Sequence, residues 1–384
     1  MEKRAISMMS GTSLDGIDII MGEISGTGLE TIVKVLYSAT YSYDESLKNK
    51  IEDAISLDKS TSKLLCSLNY ELAVAYSKCV FEFCDQFAIE LKDIDFIACH
   101  GQTIYHISED QQSFIQSSLQ LGDGSVLANL TNTTVISNFR AADIAVGGQG
   151  APLVPYADYL LFRDQHKTRL LQNIGGISNV TCISKNADIK DVFAFDNGPG
   201  NMMIDYAMKV LYNSPFDKEG AIAATGMLIQ SMYDEILQHN YFKKLPPKST
   251  GRETFGIDYT SSLLKKYKGF AKEDIITTLT HITAFTIAES YRRFISINID
   301  EIIISGGGAN NRTLLNLIQE YVKDVPVVTL ESHGYSSDYK EALAFMILAN
   351  ETIHHNPSNV MQATGATRPV ILGQVSYVLS ELMK

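Results

Sequence analysis

Apolar residues recur along the chain in two rhythms. Short runs bounded by Gly, Ser, Asn or Asp read as buried strands, and longer stretches with apolar residues three and four apart read as helix faces. One arrangement occurs twice: an apolar run, a tight Gly-rich polar turn, and a second apolar run. The first runs Ala5-Ile6-Ser7-Met8-Met9, then Ser10 to Gly16, then Ile17-Asp18-Ile19-Ile20. The second runs Arg169 to Ile174, then Gly175-Gly176-Ile177-Ser178-Asn179, then Val180-Thr181-Cys182-Ile183. Both predict strand hairpins. Each is followed further on by a buried strand leading into a polar turn. In the first half Ile94 to Cys99 precedes His100-Gly101-Gln102-Thr103, and in the second Glu301 to Ser305 precedes Gly306-Gly307-Gly308-Ala309-Asn310-Asn311. The spacing predicts helices over Ser60 to Leu91, with Ser60 as N-cap, over Thr277 to Phe294 and over Tyr339 to His354.

This is a repeat of architecture rather than of letters. It predicts an α/β fold of two similar lobes meeting at a cleft. The lobes are expected at residues 1–140 and 141–384, with the boundary in the region 140–168 and the C-terminal segment free to return to the first lobe.

The 384 residues are 45% hydrophobic and 20% charged, enough apolar side chain for large cores and too much for disorder. A net charge of −12 argues against nucleic acid or an anionic membrane as partner. Five cysteines, an odd count without a C-x-x-C pair, offer neither a disulfide framework nor a zinc site, and point to a reducing compartment. The N-terminus carries Glu2, Lys3 and Arg4 before an apolar run too short for a signal peptide, and no stretch has the eighteen or so apolar residues of a membrane helix. A cytoplasmic protein is expected.

The chemistry-bearing residues gather in the turns. Thr12 and Ser13 supply hydroxyls, the Gly11 to Gly16 turn supplies backbone N–H groups suited to an anion, and Asp15 beside them suits Mg²⁺ held through water. An ordinary hairpin would use the same residues. Gly175-Gly176 repeats that chemistry, and Gly306-Gly307-Gly308 opens a strand-to-helix turn where a diphosphate could lie against bare backbone. Asp196, expected at the end of a buried strand and before a helix, is a candidate general base or else a helix cap. The long segment from Asn138 to Pro155 carries Arg140, Asp143 and Gln149, and reads as substrate recognition or as a structural connection. Glu341 reads first as a solvated helix charge, and His100 as a satisfied buried histidine. Neither G-x-S-x-G nor the P-loop pattern occurs.

Two Gly-rich hairpins in duplicated lobes, followed by a strand-GGG-helix element, resemble the actin-like (ribonuclease H-like) superfamily of actin, sugar kinases and Hsp70. More narrowly, Met9 to Gly16, His100 to Thr103, Gly147 to Pro155, Asn173 to Gly176, Phe195 to Asn201 and Lys248 to Glu253 together resemble the anhydro-N-acetylmuramic acid kinase family of cell-wall recycling. The resemblance implies an ATP- and Mg²⁺-dependent kinase. Such an enzyme opens the 1,6-anhydro ring with water and phosphorylates O6. It implies Asp196 as the base and ATP contacts at Gly11, Thr12, Ser13, Leu14, Asp15, Gly16, Ile17, Asp18, Gly175, Gly176, Gly306, Gly307 and Gly308. It raises Glu341 to a sugar contact alongside Arg140 and Gln149. The expected partner is a small sugar, with no nucleic acid and no membrane, and a homodimer is allowed for. Two other readings stay open: a kinase for a different sugar or amino sugar, and a nucleotide-switched binding or filament protein.

Overall fold

The chain was described from a computed structural model covering residues 2–11, 14, 16–110, 113–246 and 248–379. It divides into two compact units, residues 1–161 with 339–384, and residues 162–338. The first unit thus extends beyond residue 140, to a point inside the region 140–168, and takes in the C-terminal segment. The helix Val154–Phe162 runs on within the first unit as far as residue 161, and the helix Lys340–Ile353 returns to it.

In the first unit, β1 (Lys3–Ser10), β2 (Ile17–Ser25) and β3 (Ile32–Tyr41) form an antiparallel meander. Next to β1 lie β4 (Phe96–Ile107) and then β6 (Val135–Ser137), each parallel to its neighbour, while β5 (Ser117–Leu121) folds back on β4. In the second unit, β7 (Arg169–Ile174), β8 (Ile177–Ile183) and β9 (Phe193–Pro199) form the same meander, and β10 (Glu301–Ser305) and β11 (Val327–Thr329) continue parallel from β7. The strand orders β3-β2-β1-β4-β6 and β9-β8-β7-β10-β11 are thus the same path, which is the ribonuclease H-like pattern. A last strand, β12 (Gln374–Ser376), adds antiparallel to β6.

Parallel neighbours need crossovers, and helices supply them. The helix Ser62–Phe87 buries Leu68, Leu72, Tyr76, Val80 and Phe83 in the first unit's core. Its N-cap is Thr61, one residue past the expected Ser60, because the Thr61 hydroxyl is the one that accepts from the N–H of Leu64. The helix Lys340–Ile353 packs on β1, β2 and β4 and is buried from Ala342 through Thr352, as its apolar sequence on all sides requires. In the second unit the helix Lys272–Phe294 starts five residues before the expected Thr277, with Ile275 and Ile276 extending its buried face.

Two strands are longer than expected. Strand β4 does not stop at Cys99 but continues through His100, Gly101, Gln102 and Thr103, because β5 pairs with this polar stretch. Strand β9 continues past Asp196 to Pro199, which puts Asp196 in mid-strand rather than at its end.

Candidate active site

The glycine turns of the second unit are built against one another. At the end of β7, the carbonyl of Gly175 accepts from the N–H of Asn201, and that of Gly176 from the N–H groups of Gly200 and Met202, so the turn lies on the start of the helix Met202–Tyr212. Gly306, Gly307 and Gly308 follow β10 and approach the same place. A Cβ on Gly306 would lie 2.6 Å from Asn173 Oδ1, and one on Gly308 2.4 Å from Ile174 Cγ2. Those two glycines are required by packing. A Cβ on Gly307 would meet nothing nearer than Asn201 Nδ2 at 3.7 Å, and one on Gly175 nothing nearer than Ile177 O at 3.7 Å. Both positions have room for a ligand to approach, but the Gly175 N–H is bonded to the carbonyl of Ile177, so the open backbone that fits a phosphate chain is at Gly307.

In the first unit the β1–β2 turn is held from β4. Gln102 donates through Nε2 to the carbonyl of Gly11 at 3.3 Å and accepts through Oε1 from the Tyr43 hydroxyl at 3.1 Å. Ser10 donates to the carbonyl of Gly101 and shares a hydrogen bond with the Tyr76 hydroxyl. Leu14 and Ile17 send their side chains into the hydrophobic core, so of the expected nucleotide contacts these two have only backbone to offer. Gly16 lies against Thr40 and Tyr41, and Asp18 accepts from the Thr40 hydroxyl at 2.6 Å. Thr12, Ser13 and Asp15 lie outside the described residues. Among the described residues no three His, Cys, Asp or Glu side chains form a metal cluster. A Mg²⁺ carried on nucleotide phosphates needs only one or two carboxylates, and Asp18, at the start of β2 beside this turn, suits such a role.

Arg140 is fixed by three of its own nitrogens. Nη1 donates to the carbonyl of Gly150 at 2.7 Å, and Nε and Nη2 donate to His100 Nε2 at 3.2 and 2.8 Å. His100 in turn donates from Nδ1 to the carbonyl of Gly101 at 2.8 Å, and its ring packs on Phe345. Burial, with Arg140 next to it, pushes His100 down to about 3, so the ring is neutral. The Asn138–Pro155 segment is not the featureless loop expected. It contains the helical turn Ala141–Ile144, and buried Asp143 accepts from the N–H of Gly150, the amide of Asn359 and the hydroxyl of Thr364. Gln149 is tied by its own N–H to the carbonyl of Thr364.

Glu341 stands in the first turn of the helix Lys340–Ile353. It retains accessible surface, yet the protein around it raises its carboxyl from the ordinary range, with Arg140 and Lys340 pulling it down and Asp18 pushing it up. The preceding Lys340 is buried in an ion pair with Asp158, at 2.9 Å, which fixes the helix start.

Asp196 is strapped along the edge of β9. Its N–H donates to the carbonyl of Lys248, its Oδ2 accepts from the N–H of Thr250 at 2.9 Å, and its carbonyl accepts from the Tyr241 hydroxyl at 2.7 Å. It caps no helix, since the N-cap of the following helix is Asn201. Burial raises its carboxyl to about 6, against the lowering effects of the Thr250 N–H and of Lys248, while Glu253 adds to the rise. A carboxylate poised there is ionised at neutral pH and still a competent proton acceptor.

Within each unit, then, the expected residues come together: Gly175, Gly176 and Gly306 to Gly308 in one, and Gly11, Gly16, Asp18, Arg140 and Glu341 in the other. Sequence reasoning missed Gln102, Tyr241 and Thr250. The His100-Gly101-Gln102-Thr103 and Lys248 to Glu253 segments stood out as motifs, but nothing in them announced which backbone they hold.

The sequence profile of the family "Anhydro-N-acetylmuramic acid kinase" matches residues 3–378. Proteins named anhydro-N-acetylmuramic acid kinase are similar over nearly the whole chain. The one from Francisella tularensis subsp. novicida (strain U112) is 51% identical, over 98% of this chain and 99% of its own. The one from Clostridioides difficile (strain 630) is 48% identical, over 97% and 98%. Among solved structures, the activator of the 2-hydroxyisocaproyl-CoA dehydratase from Clostridium difficile aligns with a TM-score of 0.46 at 11% identity, over 91% of this chain and 94% of its own.

Proposed function

Since the chain belongs to the anhydro-N-acetylmuramic acid kinase family, we propose that it opens 1,6-anhydro-N-acetylmuramic acid with water and phosphorylates O6 at the expense of ATP. The products are N-acetylmuramic acid 6-phosphate and ADP. The observation that carries this reading is the mid-strand Asp196, held by three hydrogen bonds and with its carboxyl raised to about 6.

Asp196 takes a proton from the water that attacks the anomeric carbon. The C1–O6 bond breaks, its electrons pass to O6, and O6 takes the γ-phosphoryl group from ATP as ADP leaves. Backbone at Gly307, beside the Gly175-Gly176 turn, receives the phosphates and the charge that develops on them. Mg²⁺, when bound, would neutralise phosphate charge, with Asp18 and Asp15 the carboxylates offered to it. Arg140 and Glu341 are assigned to the sugar. The guanidinium is presented by His100 and Gly150 in a fixed plane, and the Glu341 carboxylate is set by the anchored start of its helix. No helix among the described residues is long and apolar enough to cross a membrane; use of ATP supports a cytoplasmic role in peptidoglycan recycling.

One turnover in ¹⁸O-water, quenched before anomeric exchange, tests the reading. Label is expected at C1 and none in the phosphate ester, with the first-formed anomer inverted. Unlabelled C1 would mean that water did not attack there and would favour plain hydroxyl phosphorylation. Asp196→Asn is expected to keep ATP binding and to lose about 10²- to 10⁴-fold in kcat, the usual worth of a general base. A loss below tenfold would remove Asp196 from this role.

A further inference from the structure

Lys248 lies beside Asp196 without forming a direct ion pair with it. Its carbonyl accepts the N–H of Asp196, and its ammonium projects over two aromatic faces, 4.6 Å from the Tyr241 ring centre and 5.0 Å from that of Phe294. Tyr241 is therefore shared. Its hydroxyl holds the carbonyl of Asp196 at 2.7 Å while its ring face holds the ammonium. One side chain thus touches both the backbone of the aspartate and the ammonium of the lysine.

An ammonium held on aromatic faces near a carboxylate, without an ion pair to it, has a chemical use. An ammonium bonded directly to a general base occupies the lone pair the base must use, whereas one held a short way off stabilises the ionised form and leaves the lone pair available. We infer that Lys248 is a positioning residue for the proposed reaction: held on the faces of Tyr241 and Phe294, its charge keeps the Asp196 carboxylate ionised without bonding to it. This rests on reading Asp196 as the base.

The other charges in the neighbourhood agree. Facing Asp196 are Lys248, Glu253 from the helical turn Arg252–Phe255, and Tyr241. Facing Lys248 are Arg293 and Lys244, both of which oppose its charge, and Asp196, which favours it. Burial with these two cations brings Lys248 down to about 8, so it is still protonated where Asp196 ionises. Lys248 lines a cavity of about 200 Å³ together with Phe242, Phe285, Glu289, Arg293 and Phe294. Glu289 is itself paired with Arg292 at 3.0 Å.

The test compares Lys248→Met, which keeps the aliphatic stem, with Lys248→Arg, which keeps the charge. Two readouts are taken on the full chain: the ¹³C titration of the Asp196 carboxyl, assigned by its absence in Asp196→Asn, and the acid limb of kcat/KM. In Lys248→Met both are expected to move up by roughly one pH unit, the low end of what a nearby opposite charge contributes. Activity at pH 6 should then fall several-fold while that at pH 9 stays within about twofold. Lys248→Arg should restore both. An Asp196 titration unmoved in Lys248→Met, or moved equally in Lys248→Arg, overturns the inference. A carboxyl titration that moves while the kinetic limb stays put supports the charge effect and overturns Asp196 as base, which separates the two failures. Lys248→Gln gives the same comparison should the Met variant not fold.

Discussion

His100 Nε2 accepts from both Nε and Nη2 of Arg140, at 3.2 and 2.8 Å. A ring nitrogen that takes two donors from a cation cannot carry a proton, and with Nδ1 donating to Gly101 the tautomer is fixed. The histidine therefore serves the arginine, holding its guanidinium in one plane. Two consequences are expected. The His100 ring should show no titration between pH 5 and 9 by NMR, in keeping with its position at about 3. Arg140→Lys, which cannot reproduce the fork, should raise the sugar KM at least about tenfold while leaving the ATP KM within about twofold. A titrating His100, or equal rises in both KM values, would contradict this.

Asp196 is expected to cost the protein stability. Its carboxyl stands at about 6 in the folded chain against an ordinary 3.8, so the folded state binds that proton more tightly than the unfolded state does. Stability from this group is then highest below about 3.8, falls as pH rises toward 6, and carries the full cost above it. Asp196→Asn keeps an oxygen for the Thr250 N–H and should raise Tm at pH 7.5, with the gain gone by about pH 4. A variant no more stable than wild type at pH 7.5 in differential scanning fluorimetry would show that the buried carboxylate carries no such cost.

Glu341→Ala should act on the sugar rather than the nucleotide. A rise in sugar KM several-fold greater than that in ATP KM is expected in steady-state kinetics, because a ground-state contact appears in the KM of the ligand it touches. Equal changes would assign Glu341 to the frame of its helix.

The three glycines after β10 are not equivalent. Gly308→Ala places a Cβ 2.4 Å from Ile174 and should lower stability by about 1–3 kcal/mol. Gly307→Ala has nothing within 3.7 Å and should leave Tm within a degree or so while weakening ATP binding. If thermal melts and ATP titrations rank the two variants the other way, the open backbone at Gly307 is not where phosphate lies.

Much of this was legible in the sequence because it was written locally. The hairpin at Ser10 to Gly16, the second at Gly175-Gly176 and the GGG turn all follow from turn chemistry between apolar runs. What was not legible depends on partners far away in the chain. The polar run from His100 to Thr103 reads as a loop until β5 is seen to pair with it. Asp196 reads as a strand end until the Lys248–Thr250 strap is seen along its edge. That Gly306 and Gly308 also pack closely against Asn173 and Ile174 could not be read from their neighbours in sequence. No local signal says that a helix near residue 340 belongs beside β1, so the sequence could leave the C-terminal segment only free to return there.

That return of the chain sets the order in which the protein can assemble on the ribosome. Strands β7 to β11 and their helices are all synthesised before residue 339, so the second unit has every part it needs while the chain is still growing. The first unit, although begun earlier, lacks the helix that covers β1, β2 and β4 and the strand that closes β6 until the final stretch emerges. Its sheet must wait with one face uncovered through the synthesis of the whole second unit. A chain ending at residue 338 should accordingly yield a protease-resistant fragment from residues 162–338 and a rapidly digested N-terminal part; protection of both would show that the last helix is dispensable for the first sheet.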